Sequence, residues 1–323
     1  MFPTTVLLAT DGSDEAARAA RVAVELSEKL DSPLHVAYVE HLHDPYPTVQ
    51  ATLYNPENLL PVREIAGKKA EEKLDVETMK VGSLGKVSGA HARIGRPDAE
   101  IVRLADEIGA GLIVIGSRGL GGVRRALIGS TSASVVLHAP CPVLVVRGDG
   151  HESHLSGRIL AAVDGSGEAD AAAFAAAEIS TATGSELHVV FALPTDPVAP
   201  FPFTREEWQT QNDRARHAAR QFVDEKASEF EAAGITLKDA HLVLGEPQKE
   251  VVRLGEELEA SLIVVGSRGL GGLARALTGS VSEAVVRHAH CPVLVVRGRE
   301  SARGRVSGEG EIGEKSGPMP VGG

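Results

Sequence analysis

Leu112–Gly122 reads LIVIGSRGLGG, and Leu262–Gly272 reads LIVVGSRGLGG. Each copy opens with four apolar residues, three of them β-branched, and then breaks into closely spaced glycines. A short apolar run without polar alternation is the signature of a strand buried on both faces. A glycine-rich break directly after it predicts a tight turn at the carboxyl end of a parallel strand. In both copies nine residues after Gly119 or Gly269 lead to a second signal, Gly129-Ser130 or Gly279-Ser280. A third match follows, CPVLVVRG at 141–148 and again at 291–298, and an earlier one joins Asp11-Gly12-Ser13 to Asp164-Gly165-Ser166. A repeat this long is a duplicated domain and not a solenoid.

Working outward, each half alternates strand and helix patterns. The first half predicts strands at Thr5–Ala9, Leu34–Val39, Lys86–Ile94, Gly111–Ile115 and Val143–Arg147. Helices fall between them at Glu15–Lys29, Glu57–Met79, Ala99–Ile108 and Ser130–His138. The second half predicts strands at Arg158–Val163, Glu186–Leu193, Thr236–Leu244, Ser261–Val265 and Val293–Arg297. Its helices are expected near Glu168–Thr183, Thr204–Ala233, Pro247–Glu259 and Ser280–His288. Alternation of this kind implies right-handed crossovers and an α/β fold with two doubly wound parallel sheets. The domain reading is 1–147 and 158–298, joined by a polar linker at 148–157 and followed by a Gly- and charge-rich tail at 299–323, expected to be disordered.

Composition narrows the function. The 323 residues carry a formal net charge of −11 with no basic cluster, which argues against nucleic acid and anionic membrane as partners. No stretch approaches the ~18 apolar residues of a membrane span, and Asp11 cuts the first apolar run too early for a signal peptide. A cytoplasmic location is the expectation. The two cysteines, Cys141 and Cys291, stand at matched places and suggest inherited packing positions and not a disulfide framework. His138-x-x-Cys141 and His288-x-x-Cys291 invite a metal reading. Two soft ligands per half fall short of the four that a structural zinc site needs, so packing is favoured and no metal ligand is assigned. His35 and His188 hold matched strand positions and read as packing or rim residues. Arg18, Arg21 and the acids of the first helix read as a solvated face.

The chemistry concentrates after the first and fourth strands, where ligands of open α/β sheets bind. Glycines at 116, 119, 121 and 122 bring backbone N–H groups close to an anion. Gly129-Ser130-Thr131-Ser132 opens a helix whose unpaired amides form an anion seat. Arg118 offers charge, as do Arg124 and Arg125, with Arg268 and Arg275 in the second half. The segment also reads as a plain strand-to-helix turn, and its recurrence favours the cradle. Asp11 and Asp164 fit both a helix cap and a ligand contact. No GxxxxGK[ST] string occurs, and GSLGKVSG at 82–89 has the wrong spacing. The dinucleotide fingerprint fails at Arg124.

On these motifs each half resembles a universal stress protein domain, whose ATP-binding members carry G-x2-G-x9-G-[ST] after the fourth strand. The resemblance implies strand order 3-2-1-4-5 and one ATP per half, with or without Mg. Asp11 and Val39, and in the second half Asp164 and Ala192, would meet adenine and ribose. Gly116, Ser117, Arg118, Gly119, Gly121, Gly129, Ser130, Thr131 and Ser132 would surround ribose and phosphates. Gly266, Ser267, Arg268, Gly269, Gly271, Gly279, Ser280, Val281 and Ser282 mirror them. The expected function is a nucleotide-dependent stress-response regulator with no catalytic residues. An enzyme, a slow ATPase or phosphotransferase in the same pockets, is the alternative. A purely structural pseudo-dimer is a third reading.

The wholly apolar VLVV of each fifth strand would lie at a sheet edge. It predicts antiparallel pairing of the two copies, since an uncovered apolar edge invites aggregation. That arrangement puts Cys141 and Cys291 at opposite ends of the pair, too far apart for a disulfide. A homodimer of whole chains is a further expectation.

Overall fold

Ten strands share one sheet in a computed structural model that describes residues 5–41, 59–119, 128–147, 155–194, 204–268 and 279–297. The first half contributes β1 (Val6–Thr10), β2 (Leu34–His41), β3 (Gly89–Gly95), β4 (Leu112–Gly116) and β5 (Val143–Val146). Its helices are α1 (Asp14–Lys29), α2 (Leu59–Gly82), α3 (Pro97–Glu107) and α4 (Ser130–His138). The second half repeats the series with β6 (Arg158–Ala162), α5 (Gly167–Thr183), β7 (Glu186–Leu193), α6 (Arg205–Ala232), β8 (Asp239–Leu244), α7 (Pro247–Glu257), β9 (Leu262–Gly266), α8 (Ser280–His288) and β10 (Val293–Val296).

The sheet order is β3-β2-β1-β4-β5-β10-β9-β6-β7-β8, so each half has the order 3-2-1-4-5 in its own numbering. All pairings within a half are parallel, and the junction between β5 and β10 is antiparallel. Its register places Leu144 opposite Leu294, with Val143 opposite Val295 and Val145 opposite Val293. The apolar edges anticipated from VLVV cover each other. Cys141 and Cys291 precede β5 and β10, stand at opposite ends of the junction, and are both free and buried.

Side-chain alternation splits the core into two layers. Val6, Leu8 and Leu144 face α1, α2, α5 and α6, while Leu7, Val143 and Val145 face α3, α4, α7 and α8. Both layers run across the β5–β10 junction, since Leu294 joins the first and Val293 the second. β3 begins at Gly89 and β8 at Asp239, later than their apolar patterns suggest, because each has a partner on one side only. α3 and α7 begin at Pro97 and Pro247, where a missing N–H costs nothing. The linker from 148 to 154, the segments 120–127 and 269–278 and the tail from 298 lie outside the described residues.

Candidate functional site

β1 ends at Thr10, and the chain turns through Asp11 and Gly12 before α1 starts at Asp14. Ser13 is the helix cap, its hydroxyl accepting the Ala16 amide at 3.2 Å. Asp11 has a different task, accepting the Ser13 amide on Oδ1 at 3.0 Å. Ser166 and Asp164 reproduce both bonds at 3.2 and 3.0 Å. Capping therefore belongs to the serines, and Asp11 is left facing the strand-four loop. A Cβ added at Gly119 would lie 2.2 Å from Asp11 Oδ2, so a larger residue there would have to push the Asp11 carboxylate aside. At Gly116 a Cβ would lie 3.0 Å from the Glu15 carbonyl carbon, and at Gly266 3.0 Å from Ala169 N, which fixes how closely α1 and α5 sit on β4 and β9.

The strand-four loop is anchored by a residue that the sequence reading placed on a solvated face. Glu15 is buried, 9% exposed, and its carboxylate reaches three groups of the loop. Oε2 accepts the Ser117 hydroxyl and the Arg118 amide, the latter at 2.6 Å, while Oε1 pairs with Arg118 Nε at 2.8 Å. Glu168 accepts the Ser267 hydroxyl at 2.9 Å in the same way. The acid at the second helical position turns inward because the returning loop supplies donors for it. Ser117 and Ser267 consequently depart from the expected ligand set. Both are essentially inaccessible, at 0% and 1% exposure, with their hydroxyls on the glutamates. Arg118 shares its charge with Glu15 and is a weaker counter-ion than its position in the motif suggested.

Gly129 caps α4 without a side chain to bond the first-turn amides, and Gly279 does the same for α8. Ser132 donates its hydroxyl to the Gly116 carbonyl at 2.7 Å, and Ser282 to the Gly279 and Ser267 carbonyls at 2.9 and 3.2 Å. These serines tie the helix start to the strand end. Around this frame lies a cavity of about 1090 Å³. Asp11, Val39, Gly116, Arg118, Gly119, Gly129, Ser130, Thr131 and Ser132 all line it. Gly121, Gly269 and Gly271 lie outside the described residues, as do Arg124, Arg125 and Arg275. In the second half Asp164, Gly266, Arg268, Gly279, Ser280 and Val281 hold the corresponding places, with Ala192 on β7.

Several rim residues carry no motif. Glu40 receives Tyr38 Oη at 3.2 Å and pairs with Lys69. Burial, reinforced by Glu40, pushes the Tyr38 hydroxyl up to about 12. Asp98 accepts Arg96 at 2.8 Å and the Ser134 hydroxyl at 2.7 Å. Burial opposes its ionisation, yet those bonds and the Arg96 charge hold it below the usual carboxylate range. Glu77 of α2 accepts the Thr10 hydroxyl at 3.0 Å beneath the Asp11 turn. The second half replaces Tyr38 and Glu40 by Phe191 and Leu193, Arg96 and Asp98 by Glu246 and Gln248, and Thr10 by Val163. The two mouths thus differ in charge and polarity although their floors match.

Two histidine pairs also repeat. His35 stacks on His91 with ring centres 5.1 Å apart and nitrogens at 2.9 Å, and His188 on His241 at 5.4 and 3.1 Å. They join β2 to β3 and β7 to β8. Sequence reading found His35 and His188 but not their partners, which follow at matched places in the outer strands. Among the described residues no group of three His, Cys, Asp or Glu side chains is arranged to hold a metal ion. Among them, too, no helix is long and apolar enough to cross a membrane.

The chain is 29% identical over 300 residues to a universal stress protein of Mycolicibacterium smegmatis, covering 91% of this chain and 97% of the relative. A universal stress protein of Thermus aquaticus is 39% identical over 145 residues, 44% of this chain and 98% of its own length. The crystal structure of a universal stress protein from Archaeoglobus fulgidus superposes with a TM-score of 0.65 at 25% identity, covering 91% of this chain and 96% of that one. The universal stress protein family profile matches twice, over residues 3–147 and 156–297. With the 3-2-1-4-5 order present in both halves, the chain belongs to the universal stress protein family and carries its domain in tandem.

Proposed function

We propose that each half binds one adenine nucleotide, ATP with or without Mg, and that the chain is a nucleotide-dependent regulator in the response to stress. The observation that carries this reading is the uncapped α4 N-terminus, opening onto a cavity of about 1090 Å³ that Asp11 and Val39 also line. That volume suits a nucleotide, and small-molecule sites typically span about 300–1,000 Å³. Apolar Val39 and Ile101 offer a surface for a base, Asp11 suits a ribose hydroxyl, and the Ser130 and Thr131 amides suit phosphate oxygens. Bound Mg would neutralise phosphate charge, and the protein's own share is the amide seat and Arg118.

The same walls favour binding over turnover. Glu40 is occupied by Lys69 and Tyr38, and Asp98 is held ionised by Arg96 and Ser134, so neither is tuned as a general base. A cytoplasmic location fits this role.

Calorimetric titration of the whole chain with ATP should give about two sites, and Gly129→Glu should remove one by placing charge and bulk in the seat. Phosphate release should stay well below ~1 per second. A stoichiometry that Gly129→Glu leaves unchanged would overturn the first-half site. Rapid release abolished by that substitution would establish the enzyme instead.

A further inference from the structure

Arg147 follows β5 and leaves its own half. Its Nη1 donates to the Val286 carbonyl at 2.7 Å, in the last turn of α8. Arg297 follows β10 and crosses the other way, its Nη2 donating to the carbonyls of Val136, at 2.8 Å, and Leu137 in the last turn of α4. Both arginines are half-buried. Each also lowers the pKa of the opposite half's buried thiol, Arg297 acting on Cys141 and Arg147 on Cys291, against the larger effect of burial. The carbonyls they bond lack intrahelical partners, and a cation there complements the negative end of the helix.

The remaining links are main-chain bonds. Gly129, the cap of α4, donates to the Ser117 carbonyl at 2.7 Å, and Ser117 N donates to the Val146 carbonyl at 2.8 Å, one residue before Arg147. Gly279, the cap of α8, donates to the Ser267 carbonyl at 2.7 Å, and Ser267 N to the Val296 carbonyl at 2.7 Å, one residue before Arg297. The contacts close on themselves. They run from the α4 cap through Ser117 and β5 to the foot of α8, then from the α8 cap through Ser267 and β10 to the foot of α4.

We infer that Arg147 and Arg297 are positioning residues acting in trans, each fixing the helix whose N-terminus forms the anion seat of the opposite half, so that occupancy of one seat tightens the other. The inference rests on the proposed nucleotide sites. An anion that orders Gly129 and Ser117 steadies Val146 and hence Arg147, which steadies α8. α4 and α8 have nine residues each, too short to hold their position without tertiary contacts.

The test isolates each seat. In a Gly129→Glu background, where only the second-half seat remains, Arg147→Met should weaken ATP binding about three- to ten-fold. In a Gly279→Glu background the same substitution should change affinity less than about two-fold. Arg297→Met should give the reverse pattern, and Arg147→Lys should recover part of the loss by restoring a charged donor. Loss confined to the mutated half, or equal loss in both, would overturn the inference. If the unaltered chain binds no ATP, the proposed function fails, and amide hydrogen exchange on the unliganded protein still decides this one. Arg147→Met should then speed exchange in 280–288 clearly more than in 130–138. Equal change in both helices, or in neither, would refute the crossing.

Discussion

Glu15, the second residue of α1, accepts the backbone amide of Arg118 at 2.6 Å although 103 residues separate them. The bond brings the two ends of the site together, since Glu15 follows the Asp11 turn and Arg118 belongs to the glycine loop. A buried carboxylate with three partners is costly to leave half-satisfied. Glu15→Gln keeps the volume but turns one acceptor into a donor facing other donors. It should cost about 1–3 kcal/mol of stability and weaken first-half ATP binding while sparing the second half. Denaturant unfolding and calorimetry measure the two effects. Glu28→Gln, at the exposed end of the same helix, serves as the control and should do neither.

The two mouths should discriminate by charge. Arg96 stands at the first cavity and Glu246 at the matching place in the second half. Exchanging them, as Arg96→Glu and Glu246→Arg in separate chains, should weaken the first site and strengthen the second toward ATP. Both side chains are solvated, so the changes should be about two- to five-fold and should shrink between 50 and 300 mM salt. Salt-independent changes of the same size would mean that these residues act through packing and not through charge.

The duplicated strands and the glycine segments made the fold readable, because a strand buried on both faces has one composition wherever it lies. The strand-four turn was readable for the same reason, since close backbone approach leaves glycine as its trace at 116 and 266. Glu15, Glu77 and the two crossing arginines left no such trace. An acid near a helix start is ordinary on a solvated face, and what buries Glu15 is a loop that returns a hundred residues later. Arg147 and Arg297 looked like strand ends, and their partners exist only once β5 and β10 lie side by side. Ser117 was misplaced by the reverse error, a motif residue whose hydroxyl packs inward on Glu15.

Acid should loosen the outer strands. Burial first, then the neighbouring histidine and Arg93, lowers the pKa of His91, with Glu107 opposing. Burial and His241 lower that of His188, helped by Arg158 and opposed by Glu186 and Asp239. A depressed histidine pKa means that the unfolded chain takes up the proton more readily. Above the unfolded value of about 6.5 there is no penalty, and stability falls as pH drops below it until the folded pKa is passed. His91→Gln with His188→Gln should flatten that part of the stability–pH curve, read by chemical unfolding at pH 7.5, 6 and 5. An unchanged slope would assign the acid sensitivity elsewhere.

Thiol chemistry should report on unfolding. Burial pushes both Cys141 and Cys291 up to about 12, so almost no thiolate exists at neutral pH. A chromogenic disulfide reagent should find no fast-reacting thiol in the native chain and two after denaturation. A fast native phase, or a 141–291 disulfide on mild oxidation, would contradict the antiparallel junction that keeps the cysteines apart.

The junction itself should make the halves unfold together. Leu144 and Leu294 face each other at its centre, both fully buried, and both core layers continue through it. Each VLVV exchanges an exposed apolar edge for a ladder partner, so neither half keeps a satisfied sheet when the other melts. Truncating one leucine removes packing from both halves at once. Leu144→Ala should therefore cost about 2–5 kcal/mol and lower one common calorimetric transition. Leu294→Ala should lower the same transition by a similar amount, because the two side chains occupy equivalent positions. Two resolved transitions, with Leu144→Ala moving only the first half's, would show that the strands touch without coupling the cores. A single transition that shifts equally for either leucine would establish that the tandem chain folds around one shared sheet.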